Sequence, residues 1–259
     1  AWIDDDLPGA LRIIEEVVAD HPTDLALVKL HQYMDLNRGD FPAMLRVVRQ
    51  VEPHNPELPQ LHAMKAFAYE QCHLLDKAEA SGWRALEMKA DEPWAQHALA
   101  HVMITQGRID EGAQFMAAAA PGWAGLNSFM YTHNWWHLGL FYLSQGRFKK
   151  ALGIYDEHVW GADKTYTQDQ IGAVSLLTRL ELSGVDVGDR IALIGNVNCA
   201  WVQAGTKEQI AQSARYCLEH GGAQQGGYVY ATSNCIFAGV PLENYEWMLE
   251  MRRELMNNN

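Results

Sequence analysis

Gln106-Gly107-Arg108-Ile109-Asp110-Glu111-Gly112-Ala113-Gln114-Phe115-Met116 is the stretch from which the rest of the chain can be read. Its first glycine has counterparts at Gly39 in Arg38-Gly39-Asp40-Phe41-Pro42-Ala43-Met44, at His73 in Cys72-His73-Leu74-Leu75-Asp76-Lys77-Ala78, and at Gly146 in Gln145-Gly146-Arg147-Phe148-Lys149-Lys150-Ala151. The spacings are 34, 34 and 39 residues. Five positions after each counterpart stands Met44, Ala78, Gly112 or Ala151, mostly small. A turn residue followed by a small residue at a constant period describes paired antiparallel helices, because two packed helices need one point of close approach. The pattern runs to about Leu182 and predicts a mainly α array of helical hairpins over residues 1–190.

The segments between the turns carry helical periodicity. Apolar residues recur at i, i+3, i+4 and i+7 in Ala10 to Val18, Ala43 to Val51, Leu61 to Ala68 and Ala98 to Ile104. His21-Pro22-Thr23-Asp24, Pro53-His54-Asn55-Pro56 and Asp91-Glu92-Pro93 fall between helices. Pro42 and Pro93 suit first turns, where no N–H is needed. Period-two alternation does not occur before Leu182 in convincing form.

Composition narrows the function. Thirty-two acidic residues against 20 basic ones give a formal charge of −12 over 259 residues, without the clustered basic face that nucleic acid requires. Cys72, Cys199, Cys217 and Cys235 have no C-x-x-C spacing, so reduced thiols are expected. No apolar run of about 18 residues and no signal-peptide pattern is present. These features predict a cytoplasmic protein without membrane or nucleic-acid partners. The first residue is Ala, which reads as a fragment or a processed product.

The period and the small residue in each second helix resemble the tetratricopeptide repeat. More particular words resemble the tetratricopeptide repeat protein 38 family over about Ala1 to Arg190. They are Ala19-Asp20-His21-Pro22-Thr23-Asp24 with Leu27-Val28-Lys29-Leu30, Pro93-Trp94-Ala95-Gln96-His97-Ala98-Leu99-Ala100-His101-Val102, Thr132-His133-Asn134-Trp135-Trp136-His137, and Ala151-Leu152-Gly153-Ile154-Tyr155-Asp156-Glu157-His158. That resemblance implies a helical-repeat fold with no established reaction, and a chain corresponding to the central part of such a protein.

Histidine placement is where this region has potential chemistry. His97 and His101 are four apart, as are His133 and His137, and an i, i+4 pair shares one helix face closely enough to share a metal. Both pairs fall on first helices of repeats, which lie side by side along the concave groove of such an array. Four imidazoles are thus expected to converge, flanked by Trp94, Trp135 and Trp136, with Asp156 and His158 on the following helix. The competing expectation is that these imidazoles are hydrogen-bonding core residues, since no H-E-x-x-H arrangement accompanies them. The candidate binding groove comprises Trp94, His97, His101, His133, Trp136 and His137, and the candidate metal ligands are the four histidines together with Cys235.

Between Gly184 and Arg190 the grammar changes. Ile191-Ala192-Leu193-Ile194-Gly195-Asn196-Val197 suits a buried parallel strand. Thr206 is placed to cap a helix carrying Ile210, Ala214 and Leu218 that ends at Gly221-Gly222. Gly226-Gly227-Tyr228-Val229-Tyr230-Ala231-Thr232 reads as a second strand, and Pro241-Leu242-Glu243-Asn244 starts a last helix reaching about Leu255. Gly195-Asn196-Val197-Asn198, Ala204-Gly205-Thr206-Lys207-Glu208-Gln209-Ile210, Gly226-Gly227-Tyr228-Val229, Thr232-Ser233-Asn234-Cys235 and Gly239-Val240-Pro241-Leu242-Glu243-Asn244-Tyr245 resemble the C-terminal end of the uroporphyrinogen decarboxylase and cobalamin-dependent methyltransferase superfamily. The resemblance covers residues 191–259 and implies the last two βα units of a TIM barrel, with Cys235 at the position of a zinc-binding thiolate. The accompanying His-x-Cys pair does not occur in this chain, and one thiolate does not build a three-ligand catalytic zinc site. Cys199 and Cys217 read as packing thiols.

The leading expectation is a helical-repeat scaffold that binds a protein or peptide partner in its concave groove, with no self-sufficient catalytic centre and no cofactor. The alternatives are a fragment of a uroporphyrinogen decarboxylase-like enzyme, working by cobalamin-dependent methyl transfer or tetrapyrrole decarboxylation, and a metal-dependent activity, with zinc or another transition metal, at the four histidines. The abruptness of the seam, with no linker rich in Ser or Pro, favours an artificial join over a tethered fusion.

Overall fold

The spacing of the turn residues has a common backbone cause. In the computed structural model, which describes residues 6–160, 166–187, 197–220, 230–232 and 239–257, Gly39, Gly107 and Gly146 take φ values of 74°, 72° and 69°. His73 takes φ 58°, the one positive-φ residue other than glycine among the described residues. Each closes a helix with the same pair of hydrogen bonds. At Gly107, for example, Gly107 N–H donates to Ile104 C=O at 3.2 Å and Arg108 N–H to Met103 C=O at 2.9 Å. This left-handed cap satisfies carbonyls that the helix leaves unpaired. Gly184, with φ 83°, repeats it, Val185 N–H donating to Leu180 C=O at 3.1 Å. The repeat grammar therefore extends through Val185, into the segment where the sequence reading places its change.

The chain forms two compact units, Ala1–Val185 and Asp186–Asn259. In the first, α1 (Leu7–Asp20) precedes four hairpins: α2 (Leu25–Arg38) with α3 (Phe41–Val51), α4 (Pro59–Gln71) with α5 (Leu75–Met88), α6 (Pro93–Thr105) with α7 (Ile109–Ala119), and α8 (Ser128–Ser144) with α9 (Phe148–Ile154). A π-helical turn, Tyr155–Val159, extends α9, and α10 (Thr167–Leu182) follows, packed beside α8 in the first-helix position. Starts are capped as the sequence prescribes. Asp24 accepts from Ala26 and Leu27, Asp40 from Ala43 at 3.0 Å, and Asn127 from Met130 at 2.9 Å.

First helices pack on first helices, α2 on α4, α4 on α6, α6 on α8 and α8 on α10, while each second helix packs both on its own partner and on the first helix that follows. Close approach falls at the small positions. A Cβ built on Gly112 of α7 would lie 2.2 Å from the Phe141 ring of α8, and Met44, Ala78 and Ala151 are fully buried at the equivalent sites. The core between the helices is apolar, with Val28, Met44, Val48, Leu61 and Ala98 fully buried in one cluster near the N-terminal end.

In the second unit, α11 (Cys199–Ala204), α12 (Lys207–His220) and α13 (Leu242–Asn257) enclose Val197, Val202, Ile210, Cys217 and Met248. Thr206 and Gln209 form a reciprocal capping box at the start of α12: Gln209 N–H donates to the Thr206 hydroxyl at 3.3 Å and Thr206 N–H to Gln209 Oε1 at 2.9 Å. The two expected helices of the tail are thus present. The expected strands are not: among the described residues there is no β-strand, only an isolated parallel bridge between Val197 and Thr232. Most of the first strand reading, residues 191–196, and of the second, residues 226–229, lies outside the described residues, so two βα units do not stand as described structure. One short helix went unread in the sequence, α11, because six residues are too few to display a period.

Candidate functional site

The repeat register puts groove-lining residues at fixed distances before each left-handed cap. Lys29, His97 and Trp136 stand ten residues before Gly39, Gly107 and Gly146, and Tyr33, Phe67 and His101 stand six residues before Gly39, His73 and Gly107. These positions meet on the inner wall formed by the first helices, around a cavity of about 290 Å³ lined among others by Lys29, Tyr33, Phe67, Trp94, His97, His101, Phe129, His133 and Gln168. Gln168 at the start of α10 donates to the Tyr33 hydroxyl of α2 at 3.2 Å, so the last first-helix reaches back to the first.

The four groove histidines form a ring of Nε2 atoms. His97 to His101 is 3.1 Å, His101 to His137 3.1 Å, His137 to His133 3.2 Å and His133 to His97 3.0 Å. All four atoms lie within 4.8 Å of one another. His97 and His101 come from α6 and His133 and His137 from α8, each pair one helical turn apart. His97 and His137 are buried; His101 and His133 are half-buried. Burial, reinforced by the neighbouring imidazoles, pulls His97 and His137 well below the ordinary histidine range and takes His133 down to about 4. These three rings are therefore neutral near pH 7.

Aromatic walls fix the rings. His133 lies between Phe129, at a centroid distance of 5.0 Å and 19°, and Trp136, at 5.4 Å and 9°. Phe67 and Trp94 stand 5.4 and 5.5 Å from His97. Outside the ring of nitrogens, His101 Nδ1 lies 3.5 Å from a carboxylate oxygen of Glu70, whose side chain is 11% exposed. At the groove's edge the Lys29 ammonium sits 3.3 Å from the Trp94 ring centroid. Burial lowers Lys29 to about 8, against the opposing pull of Glu92, and Glu92 caps α6 by accepting from Ala95 N–H at 2.6 Å.

Of the residues singled out in the sequence, the structure gathers Trp94, His97, His101, His133, Trp136 and His137 in one place. Trp135 turns away and packs against Trp123 at 5.2 Å and on His158 at 3.6 Å and 7°, so it does not flank the histidines. His158 Nδ1 is 2.7 Å from the Tyr131 hydroxyl, a contact within the α8 and π-turn packing. Cys235 lies outside the described residues. Glu70, Lys29, Phe67, Tyr33 and Phe129 were missed by the sequence reading. The register relative to the caps would have found Lys29, Tyr33 and Phe67, since they occupy the positions of His97 and His101 in earlier repeats.

The first solved structures similar to this chain are a thermophilic tetratricopeptide repeat protein of Thermus thermophilus, with TM-score 0.55 and 17% identity over 68% of this chain and 93% of that one, and a tetratricopeptide repeat protein of Parabacteroides merdae, with TM-score 0.53 and 14% identity over 96% and 79%. The Cut9–Hcn1 hetero-tetramer structure of the APC/C is similar at TM-score 0.50 and 12% identity, over 84% of this chain and 44% of that one. At these identities the likeness shows a tetratricopeptide-like fold. A sequence profile of the uroporphyrinogen decarboxylase family matches residues 157–255. That span begins ahead of Ile191 and includes α10, which packs beside α8 in the first unit. Among the described residues no helix is long and apolar enough to cross a membrane.

Proposed function

We propose that the helical array is a scaffold of the kind suggested by the resemblance to the tetratricopeptide repeat protein 38 family, binding a protein or peptide partner on the concave face of its first helices. The observation that supports this is the cavity of about 290 Å³, to which α2, α4, α6, α8 and α10 all contribute side chains. Its half-exposed aromatic rings, Trp94 and Phe129, and the exposed Tyr33 offer apolar area beside amide and ammonium groups. That mixture suits a peptide segment inserting one large side chain, with backbone groups paired by Gln32, Asn37 or Gln71. Tetratricopeptide-like neighbours include a chain solved within a complex, Cut9 with Hcn1, which is consistent with a binding role. The cytoplasmic setting belongs to the same proposal.

The test is selection of a displayed random-peptide library on the full chain, followed by affinity measurement of enriched peptides on wild type and on Trp94→Ala and Tyr33→Ala. Peptides bound at this groove weaken by about 1–3 kcal/mol, or about 5- to 150-fold, on loss of an aromatic anchor. Equal affinity for wild type and both variants would place binding elsewhere and sink the reading. The match to uroporphyrinogen decarboxylase over residues 157–255 favours a second reading, a piece of a barrel enzyme of methyl-transfer or decarboxylation type. Up to Val185 the described residues are helical and offer no strands to such a barrel, which weighs against it.

A further inference from the structure

Four Nε2 atoms at 3.0 to 3.2 Å around a ring present a hydrogen-bonding problem that protons alone solve badly. A neutral imidazole offers at Nε2 either one donor or one acceptor, never both. If all four protons sit on Nδ1, four lone pairs face one another across less than 5 Å. If two alternate rings donate, each N–H must divide itself between two acceptors. The Nδ1 atoms of the buried His97 and His137 have no partner among the described residues, so no contact outside the ring fixes the tautomer of these two rings. A cation at the centre turns four converging lone pairs from repulsive to attractive.

The distances suit an ion. Edges near 3.1 Å put the centre of the ring between about 1.9 Å (tetrahedral) and about 2.2 Å (planar square) from each nitrogen, a range that includes the ~2.0–2.1 Å of a zinc–imidazole bond. Imidazole donors select zinc, copper and nickel over calcium or magnesium, which take oxygen. Glu70 stands behind His101 as carboxylates stand behind metal-bound histidines elsewhere, with a carboxylate oxygen 3.5 Å from the second ring nitrogen. We propose that His97, His101, His133 and His137 bind one divalent late-transition-metal ion through their Nε2 atoms, with Glu70 as a positioning residue for His101. The ion joins α6 to α8, first helices of successive repeats, on the wall of the groove. This goes beyond the scaffold reading and does not depend on it.

The test uses the full chain stripped of metal by chelation and titrated with Zn²⁺, Ni²⁺ and Cu²⁺ by calorimetry, and with Co²⁺ by visible absorption. Wild type is expected to take up one ion per chain at low micromolar affinity or better and to show the ligand-field bands of nitrogen-bound, four-coordinate cobalt. His101→Ala with His133→Ala abolishes that uptake, Glu70→Gln weakens it about 10- to 100-fold, and replacing the exposed His54 by Ala changes nothing. Circular dichroism checks that the double variant keeps its helices. Should it unfold, the cobalt spectrum of wild type and the Glu70→Gln affinity decide. No uptake by wild type, or uptake unaltered in both the folded double variant and Glu70→Gln, overturns the site; loss in the double variant with Glu70→Gln unchanged overturns the role of Glu70.

Discussion

His73 is the residue at which local conformation and side chain disagree. It takes the left-handed backbone that glycine takes at Gly39, Gly107, Gly146 and Gly184, and its exposed ring compensates with no hydrogen bond among the described residues. An L side chain there costs roughly 1 kcal/mol or more. His73→Gly is expected to raise stability by about 0.5–1 kcal/mol in denaturant unfolding, the gain being trimmed by glycine's larger unfolded-state entropy; a loss of stability would mean the ring contributes packing that the structure does not display. A second residue-level prediction concerns His31, which is buried on α2. Burial lowers its proton affinity, but Asp35 at 2.8 Å and Glu15 at 3.4 Å outweigh that and raise it above the ordinary value; Arg38 stands 3.7 Å from the same Asp35. A raised histidine stabilises fully below the unfolded-state value near 6.5 and loses that contribution as pH rises through the folded-state value. His97, His133 and His137 are shifted the other way, so the His31 contribution is read as the difference between wild type and His31→Gln. That difference should be largest below the unfolded-state value near 6.5 and fade as pH rises above it; a difference flat in pH would contradict the ion pair.

The helix is the scale at which the sequence was most legible. A left-handed cap needs glycine and a helix crossing needs a small side chain, so both requirements leave residues at a period of 34. His73 was legible through spacing alone, since its identity argues against its conformation. The i, i+4 histidine pairs were legible because 3.6 residues complete a turn, and their meeting across α6 and α8 was expected from first helices lying side by side, although the 36-residue offset from His97 to His133 departs from the 34-residue period. Glu70 was not legible at all: a carboxylate three residues before a cap on another helix looks like any solvated charge. Element-scale packing makes its own prediction. Gly112→Ala drives a methyl to 2.2 Å from Phe141 Cε1, in a ring buried between α7 and α8, and should cost about 1–3 kcal/mol despite alanine's better helix propensity. On α10 the two faces differ: Leu176, Leu177 and Leu180 are buried, whereas Ile171, Val174 and Leu182 are exposed. Leu176→Ala should cost about 2–5 kcal/mol, and Ile171→Ser should stay within about 0.5 kcal/mol. Comparable costs at the two positions, measured by urea unfolding, would show that the outer face is covered.

Across the whole chain, stability follows from one-dimensional stacking rather than from a single centre. Each first helix contacts the first helices beside it, and each second helix packs on its own partner and on the following first helix, so the first unit is built from neighbour contacts up to Val185. In the second unit, Asp186–Asn259, the described residues enclose a cluster of five buried side chains around Val202 and Ile210. The seam itself was legible as a change of period, while the partition was not, because the repeat cap at Gly184 and the family match from residue 157 overlap on α10. A polypeptide of residues 1–187 is therefore expected to fold by itself. It should keep the helicity per residue of the array and unfold in one cooperative transition, and Leu176→Ala should cost it the same, within about 0.5 kcal/mol, as it costs the full chain. If the shorter polypeptide loses its helices, or if the two costs differ by more than about 1 kcal/mol, then α10 draws its stability from residues beyond Val187. The array would then end one helix earlier, and the segment from α10 onward would fold with the tail, as the family match from residue 157 suggests.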